Sequence, residues 1–121
     1  MITLPCVRAS AKRARDHVGE ITEGWPVDND DVRLIVSELA TNAIRYAKSE
    51  TFRADAYSRV GPVGLYLVEV WDADDTLPTP GCSGSRDGGR GLLMVASIAC
   101  GWGARHVETG GKVVYAGWVI P

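Results

Sequence analysis

Three polar side chains recur at helical spacing in the first half of the chain and could act on one bound group. Glu38, Asn42 and Arg45 stand at positions i, i+4 and i+7 of a segment whose apolar residues also repeat with the helical period. On a helix this spacing stacks a carboxylate, a carboxamide and a guanidinium on successive turns. The ordinary polar face of an amphipathic helix has the same pattern, so spacing alone leaves both interpretations open.

A second group of candidate residues follows the strongest apolar segment, residues 64–71. Asp72 comes directly after this segment, where a strand would hold its carboxylate in position to accept a hydrogen bond from an exocyclic amine. Residues 88–91 read GGRG and precede a short apolar segment. Free backbone N–H groups at such a helix start favour phosphate oxygens, and Arg90 could add a charge-assisted contact. Glycine clusters also mark simple turns, which is the alternative interpretation.

The elements that must position these residues are predicted as two helices followed mainly by strands. Helices are predicted over residues 7–21, 32–47 and 92–99. Strands are predicted over residues 51–59, 64–71, 102–108 and 113–120, with a long loop over 72–90. This order lacks the regular alternation of a doubly wound sheet. It predicts an α+β two-layer sandwich in which helices cover one face of a mostly antiparallel sheet. The expected core face of the second helix comprises Val32, Ile35, Val36, Leu39, Ala43 and Ala47.

Length and composition limit the classes of protein to consider. The 121 residues fit one domain, residues 1–121, and 13 basic against 15 acidic residues give a net charge of −2. This balance offers no basic surface for nucleic acid, so no direct nucleic-acid partner is expected. No apolar run is long enough to cross a membrane and the first residues do not resemble a signal peptide, so a cytoplasmic location without membrane contact is expected.

Together these segments resemble the GHKL ATPase superfamily, and within it the bacterial anti-sigma-factor serine/threonine kinase branch. Residues 38–47, ELATNAIRYA, resemble the N-box pattern E-L-x-x-N-A-x-x-H-A. Residues 68–72, VEVWD, resemble the first glycine box, and residues 89–92, GRGL, the second. Residues 111–116, GKVVYA, are similar to the closing strand of actinobacterial members. The resemblance extends over almost the whole chain, with the motifs in the expected order.

This resemblance implies the Bergerat fold, with ATP between the helices and a loop, and Mg²⁺ bridging the phosphates. It assigns the metal to Asn42, the role of general base to Glu38 and recognition of the adenine amino group to Asp72. Mg²⁺ prefers hard oxygen ligands, which fits these residue types. Further contacts with the nucleotide are expected from Arg45, Gly88, Gly89, Arg90, Gly91 and Leu92.

The function implied by the resemblance is phosphorylation of a serine or threonine on a small antagonist (anti-anti-sigma) protein, with a sigma factor as a further expected partner. Three features depart from the family pattern. Asp74 and Thr76 replace two glycines of the first box, Tyr46 replaces a common histidine, and Val113 stands where many members have a threonine that supports the adenine-reading acid. A non-catalytic binding module is therefore the alternative. A histidine-kinase-like catalytic domain is a third hypothesis, against which the short loop and the lack of an attached phosphoacceptor helix argue.

The alternation of side chains between the two faces of the strand predicted over residues 64–71, continued to Asp72, also predicts an interface. If Asp72 lies on the helix-covered face of the sheet, then Leu65, Leu67 and Trp71 point to the other face. Apolar side chains on an uncovered sheet suggest a homodimer or another partner, whereas a covering loop or N-terminal segment is the alternative.

Overall fold

Five antiparallel strands form a single sheet in the computed structural model, which describes residues 1–78 and 89–121. The sheet order is β1-β2-β3-β5-β4, and each neighbouring pair is antiparallel. This confirms the predicted mostly antiparallel α+β architecture. The strands are β1 (Ile2–Pro5), β2 (Thr51–Arg59), β3 (Gly64–Asp72), β4 (Gly101–His106) and β5 (Lys112–Ile120).

Three helices cover one face of this sheet, in the same order as the strands beneath them. They are α1 (Ser10–Ile21), α2 (Asn29–Arg45) and α3 (Gly89–Ile98). α1 contacts β1 and β2, α2 contacts β2 and β3, and α3 contacts β4, while α2 also contacts both other helices. α2 is therefore the central helix, and the gap between α2 and α3 lies above β3 and β5.

One apolar core holds the two layers together. Its largest fully buried side chains come from helices and strands alike, and burial of each contributes roughly 1.5–3 kcal/mol. They include Leu4, Val18, Val32, Ile35, Val36, Phe52, Val68, Val70, Leu92 and Val95. None of the helices in the described ranges combines the length and apolar character needed to cross a bilayer.

The central helix begins and ends where its charges favour it. The Asp28 carboxylate accepts a hydrogen bond from the Asp30 N–H at 2.8 Å and caps the N-terminus, and Arg45 lies in the last turn. The predicted core face of α2 is confirmed except at Ala47, which is exposed and lies beyond the end of the helix. Ala40, which the periodicity did not single out, is fully buried.

The N-terminal segment differs most from the prediction. Residues 2–5 form an edge strand, with Ile2 opposite Ala54 and Pro5 opposite Thr51, so α1 begins only at Ser10. Val7 and Ile21, which fit the helical period, are 52% and 49% exposed. The predicted helix over residues 7–21 was therefore wrong in its first turn, because pairing with β2, distant in sequence, holds the start of the chain extended.

The face of the sheet opposite the helices is uncovered by any described element. Asp72 shares the helix side of β3 with Val68 and Val70, so Leu65, Leu67 and Trp71 lie on the open face as predicted. Two exposed aliphatic side chains of this face, Leu65 and Val119, are directly opposite each other on β3 and β5. Near the other end of β3, the guanidinium groups of Arg53 and Arg105 lie 5.0 and 5.6 Å from the Trp71 ring centre.

Candidate functional site

Glu38 and Asn42 lie on the flank of α2 that points away from α1. Arg33 marks the opposite flank, because its guanidinium reaches Asp16 of α1 at 3.6 Å. Asn42 follows Arg33 by nine residues, about two and a half helical turns, and Glu38 is one turn before Asn42 on the same side. Since α1 and α3 adjoin α2 over opposite edges of the sheet, this flank faces α3. The helix thus directs both side chains towards the α2–α3 gap.

The side chains of Glu38 and Asn42 are half-buried and have no hydrogen bond or ion pair with any residue in the described part of the chain. Within the described residues, both side chains are therefore open to solvent or to a ligand. No cluster of three or more His, Cys, Asp or Glu among the described residues could hold a metal ion by itself. The donor set nevertheless fits Mg²⁺ bound together with a nucleotide, because Mg²⁺ takes few protein ligands and completes its shell with phosphate oxygens and water.

Asp72 lies below this gap, at the end of β3, and a buried lysine holds it. Lys112, directly opposite on β5, donates from Nζ to Asp72 Oδ1 at 3.0 Å, to Asp74 Oδ2 at 3.2 Å and to the Asp74 carbonyl oxygen at 3.1 Å. Asp72 Oδ1 also accepts the Asp74 N–H at 2.8 Å. The side chains of Lys112, Asp72 and Asp74 are 8%, 5% and 3% exposed.

This register corrects one interpretation of the sequence. Val113 lies opposite Trp71 and Arg105 on the open-face side, so it cannot support the Asp72 carboxylate. Lys112 does so instead, and it is the site residue that sequence reasoning missed. The signal was a single basic residue at the start of the last strand, which becomes informative only when its strand partner is known. Asp74, which replaces a glycine of the first box, is one of the two acids that Lys112 binds.

Burial and the contact with Lys112 act on the pKa of Asp72 in opposite directions. Burial raises the pKa of the Asp72 carboxyl above its ordinary value of 3.8, while the hydrogen bond and charge of Lys112 and the Asp74 N–H oppose that rise. The negative charge of Asp72 also contributes, after burial, to raising the pKa of the Cys6 thiol. An ionised Asp72 is therefore disfavoured by burial, and the contact with Lys112 is what offsets part of that cost.

A tight turn between β4 and β5 fixes the backbone around Asp72. Gly111 has φ +81° and donates its N–H to Asp75 Oδ1 at 2.7 Å. A Cβ at Gly111 would overlap the carbonyl oxygen of Asp72 and lie 2.9 Å from the Cα of Ala73. Only glycine combines this left-handed conformation with so close an approach. The β4–β5 turn and the loop after β3 therefore form one packed unit.

The predicted phosphate-binding residues fall around the start of α3. Gly88 lies outside the described residues, whereas the backbone of Gly89, Arg90 and Gly91 forms the first turn of α3. Leu92 is 1% exposed and belongs to the core, so its side chain anchors this helix start and only its backbone could meet a ligand. Arg45 is exposed at the end of α2. The nucleotide contacts assigned to these residues stay predictions.

A shallow pocket of about 210 Å³ opens where β3 ends. Its lining includes Thr3 and Arg53 from the open-face side and the β4–β5 turn at Thr109 and Gly110. Asp72 also lines it, whereas Glu38 and Asn42 do not. It therefore lies at the end of the sheet, beside the β4–β5 turn, and it shares Asp72 but not Glu38 or Asn42 with the predicted site. Glu38 and Asn42 face the α2–α3 gap and Asp72 lies beneath it, so the predicted nucleotide site falls there and stays a prediction.

Comparison with known proteins identifies what the chain is similar to. Residues 5–118 match the family described as "Histidine kinase-like ATPase domain". A solved structure, the histidine kinase domain from the Erythrobacter litoralis EL346 blue-light activated histidine kinase, is 20% identical with a TM-score of 0.41. The match covers 98% of this chain and 61% of that one, so the chain spans less than two thirds of the length of that structure. A comparison with curated proteins found no match.

Proposed function

The chain belongs to the histidine kinase-like ATPase family, and we propose that it is an ATP-dependent protein kinase of the anti-sigma type. It transfers the γ-phosphate of ATP to a serine or threonine of a small antagonist protein, and a sigma factor is a second proposed partner. The observation that supports this proposal best is the pair Glu38 and Asn42. Both side chains lack partners in the described chain and face the gap above Asp72.

Each of these residues has a role that its chemistry supports. Asn42 offers an amide oxygen to Mg²⁺, which when bound would neutralise charge on the phosphates. Glu38, one turn away, accepts the proton of the attacking hydroxyl as that oxygen forms its bond to the γ-phosphorus. The bond from the γ-phosphorus to the β–γ bridging oxygen breaks at the same time, and ADP leaves with that oxygen. Asp72 accepts a hydrogen bond from the adenine amino group, and the backbone N–H groups at the start of α3 attract phosphate oxygens. Phosphoryl transfer depends mainly on positioning and charge, so this small set of groups is sufficient.

Calorimetric titration with ATP, with and without Mg²⁺, tests the nucleotide site. We expect ATP to bind more tightly when Mg²⁺ is present, and we expect Asn42→Ala to lose most of that gain because the ion loses its protein ligand. Asn29→Ala is the control, since Asn29 serves the α1–α2 contact through Gly19 and Arg33. No binding of ATP or ADP by the wild type at millimolar concentrations would reject the proposal.

A non-catalytic binding module is the second candidate function. The replacement of two first-box glycines by Asp74 and Thr76 favours it, because the loop then departs from the family pattern at the place where a nucleotide would bind. Incubation with γ-labelled ATP and a serine-bearing antagonist candidate separates the two functions. Nucleotide binding without label transfer or phosphate release would favour the binding module.

We further propose that the open face of the sheet mediates a homodimer. Its exposed apolar residues, Leu65 and Val119, lie together on adjacent strands, and Tyr57 and Trp71 donate hydrogen bonds to Glu69 at 2.8 and 3.1 Å, which orders the polar part of the face. Aromatic and arginine side chains, such as Trp71 with Arg53 and Arg105 beside it on this face, are enriched at protein interfaces.

Sedimentation equilibrium of matched variants tests this dimer. Val119→Asp places a charge within the proposed interface and is expected to weaken dimerisation at least tenfold. Val7→Asp is the control, because Val7 is 52% exposed, against 53% for Val119, and lies off this face. A monomeric wild type, or equal effects of the two variants, would contradict the homodimer.

A further inference from the structure

All three N–H donors of the Lys112 ammonium group are engaged within the protein. An ammonium group carries three N–H donors, and the three contacts of Lys112 Nζ, to Asp72 Oδ1, Asp74 Oδ2 and the Asp74 carbonyl oxygen, account for all of them. Lys112 is thus unable to donate to a ligand without giving up one of these bonds. Its effect on a ligand has to pass through the carboxylates that it holds.

The contacts of Lys112 divide the two oxygens of Asp72 into different roles. Oδ1 accepts from Lys112 and from the Asp74 N–H, whereas Oδ2 has no hydrogen-bond partner among the described residues. A carboxylate held in this way presents one oxygen as a pure acceptor in a fixed direction. Such an acceptor matches an exocyclic amine and repels a carbonyl oxygen in the same place.

We propose that Lys112 is a positioning residue that determines base specificity, by keeping Asp72 ionised and its Oδ2 directed at the base. This inference rests on the proposed function, in which Asp72 reads the adenine amino group. With the lysine in place, the site selects a base with an amine at that position. Without it, Asp72 can take up a proton and become a donor, which a base with a carbonyl at that position can accept.

The charged groups around Asp72 support a change in its protonation when Lys112 is removed. Burial raises the pKa of Asp72, and Lys112 is the cation that opposes the rise. The other titratable groups nearby are Asp74 and Asp75 on the following loop, Cys6 after β1, His106 opposite Lys112 on β4, and Glu38 at the gap on α2. The charge of Asp74 also raises the pKa of Asp72. Removal of the lysine therefore moves protonation of Asp72 to a higher pH.

Binding of ATP and ITP, measured in parallel by calorimetry at several pH values, tests the inference. The two nucleotides carry the same triphosphate, so its own titration cancels in the ratio of their affinities, and they differ in an amine or a carbonyl on the base. We expect the wild type to prefer ATP about tenfold or more, because ITP sets two acceptors against each other. The preference should decline on acidification, as Asp72 takes up a proton.

Three substitutions and one control complete the experiment. Lys112→Met removes the donors and the charge, and Lys112→Gln keeps a donor but removes the charge. Both should lower the ratio of ATP affinity to ITP affinity severalfold at neutral pH. Both should also move the pH at which this ratio declines to a higher value. Lys112→Arg should retain most of the preference. Lys12→Met is the control, because Lys12 is 72% exposed and its ion-pair partner among the described residues is Asp16 on the same helix. If Lys112→Met does not fold, Lys112→Gln provides the same comparison.

The possible outcomes separate this inference from the proposed function. If the wild type binds neither nucleotide, the proposed function fails and the inference fails with it. If the wild type prefers ATP but Lys112→Gln keeps the same ratio and the same pH profile, the inference alone is wrong. A lower affinity for both nucleotides with an unchanged ratio would assign Lys112 a purely structural role and would also overturn it.

Discussion

Replacing Glu38 by glutamine is expected to lower the rate of phosphoryl transfer by about 10²–10⁴-fold while leaving ATP affinity within about threefold of wild type. Glutamine keeps the size of the side chain and its position on the flank of α2. It cannot accept the proton of the attacking hydroxyl. The measurement is release of labelled phosphate from ATP, together with transfer to an antagonist candidate, with binding followed separately by calorimetry.

The matched control for this prediction is Glu20→Gln. Glu20 is an exposed glutamate on α1, on the far side of α2 from the gap, and it has no side-chain hydrogen bond or ion pair within the described ranges. We expect it to retain wild-type rate and affinity. If Glu38→Gln turns over as fast as Glu20→Gln, then Glu38 is not the base. If it loses ATP binding instead, its role is in holding the nucleotide.

Gly111→Ala is expected to destabilise the protein by about 3 kcal/mol or more and to abolish ATP binding. The φ angle of +81° is strained for any residue with a Cβ, and the new methyl group would overlap the carbonyl oxygen of Asp72. The backbone at Asp72 and Ala73 would have to move, and the Asp72 carboxylate would move with it. Urea unfolding measures the loss of stability, and calorimetry measures the loss of binding.

Gly110→Ala separates these two effects, because it is the adjacent residue in the same turn. Gly110 also has a positive φ, +105°, but a Cβ there would meet nothing within 4 Å. It should therefore show only the backbone strain, about 1–3 kcal/mol, and should still bind ATP once folded. Equal stability and equal binding of the two variants would mean that contact with the Asp72 backbone does not matter to the site.

The residues on the two sides of the proposed site differ in how firmly the protein holds them. On α2, Glu38 and Asn42 have no partners in the described chain and are available to a ligand. On β3, Asp72 is held by Lys112, by the Asp74 N–H and, through its backbone, by the turn at Gly111. A fixed acceptor suits recognition of a rigid base, since its orientation costs no further ordering when the ligand binds. Side chains with no internal partner suit phosphates and a metal ion, whose positions change during transfer.

The sequence by itself determined the parts of this protein that depend on neighbours in the chain. The period of Val32, Ile35 and Leu39 predicts the buried face of α2, because side chains three and four residues apart lie on one side of a helix. That period also places Glu38 and Asn42 on one flank. The order of helical and strand segments argues against a parallel doubly wound sheet. Motif resemblance led to the family that residues 5–118 then matched.

Only the tertiary structure decided what depends on partners far apart in the chain. The strand at Ile2–Pro5 exists because it pairs with β2, about fifty residues later. The lysine that holds Asp72 is 40 residues away from it, and strand register alone determines that Lys112 rather than Val113 meets the carboxylate. A shift of one residue in that register would reverse every side chain of β5. No local pattern encodes such a choice, because it follows from packing the whole sheet against its helices.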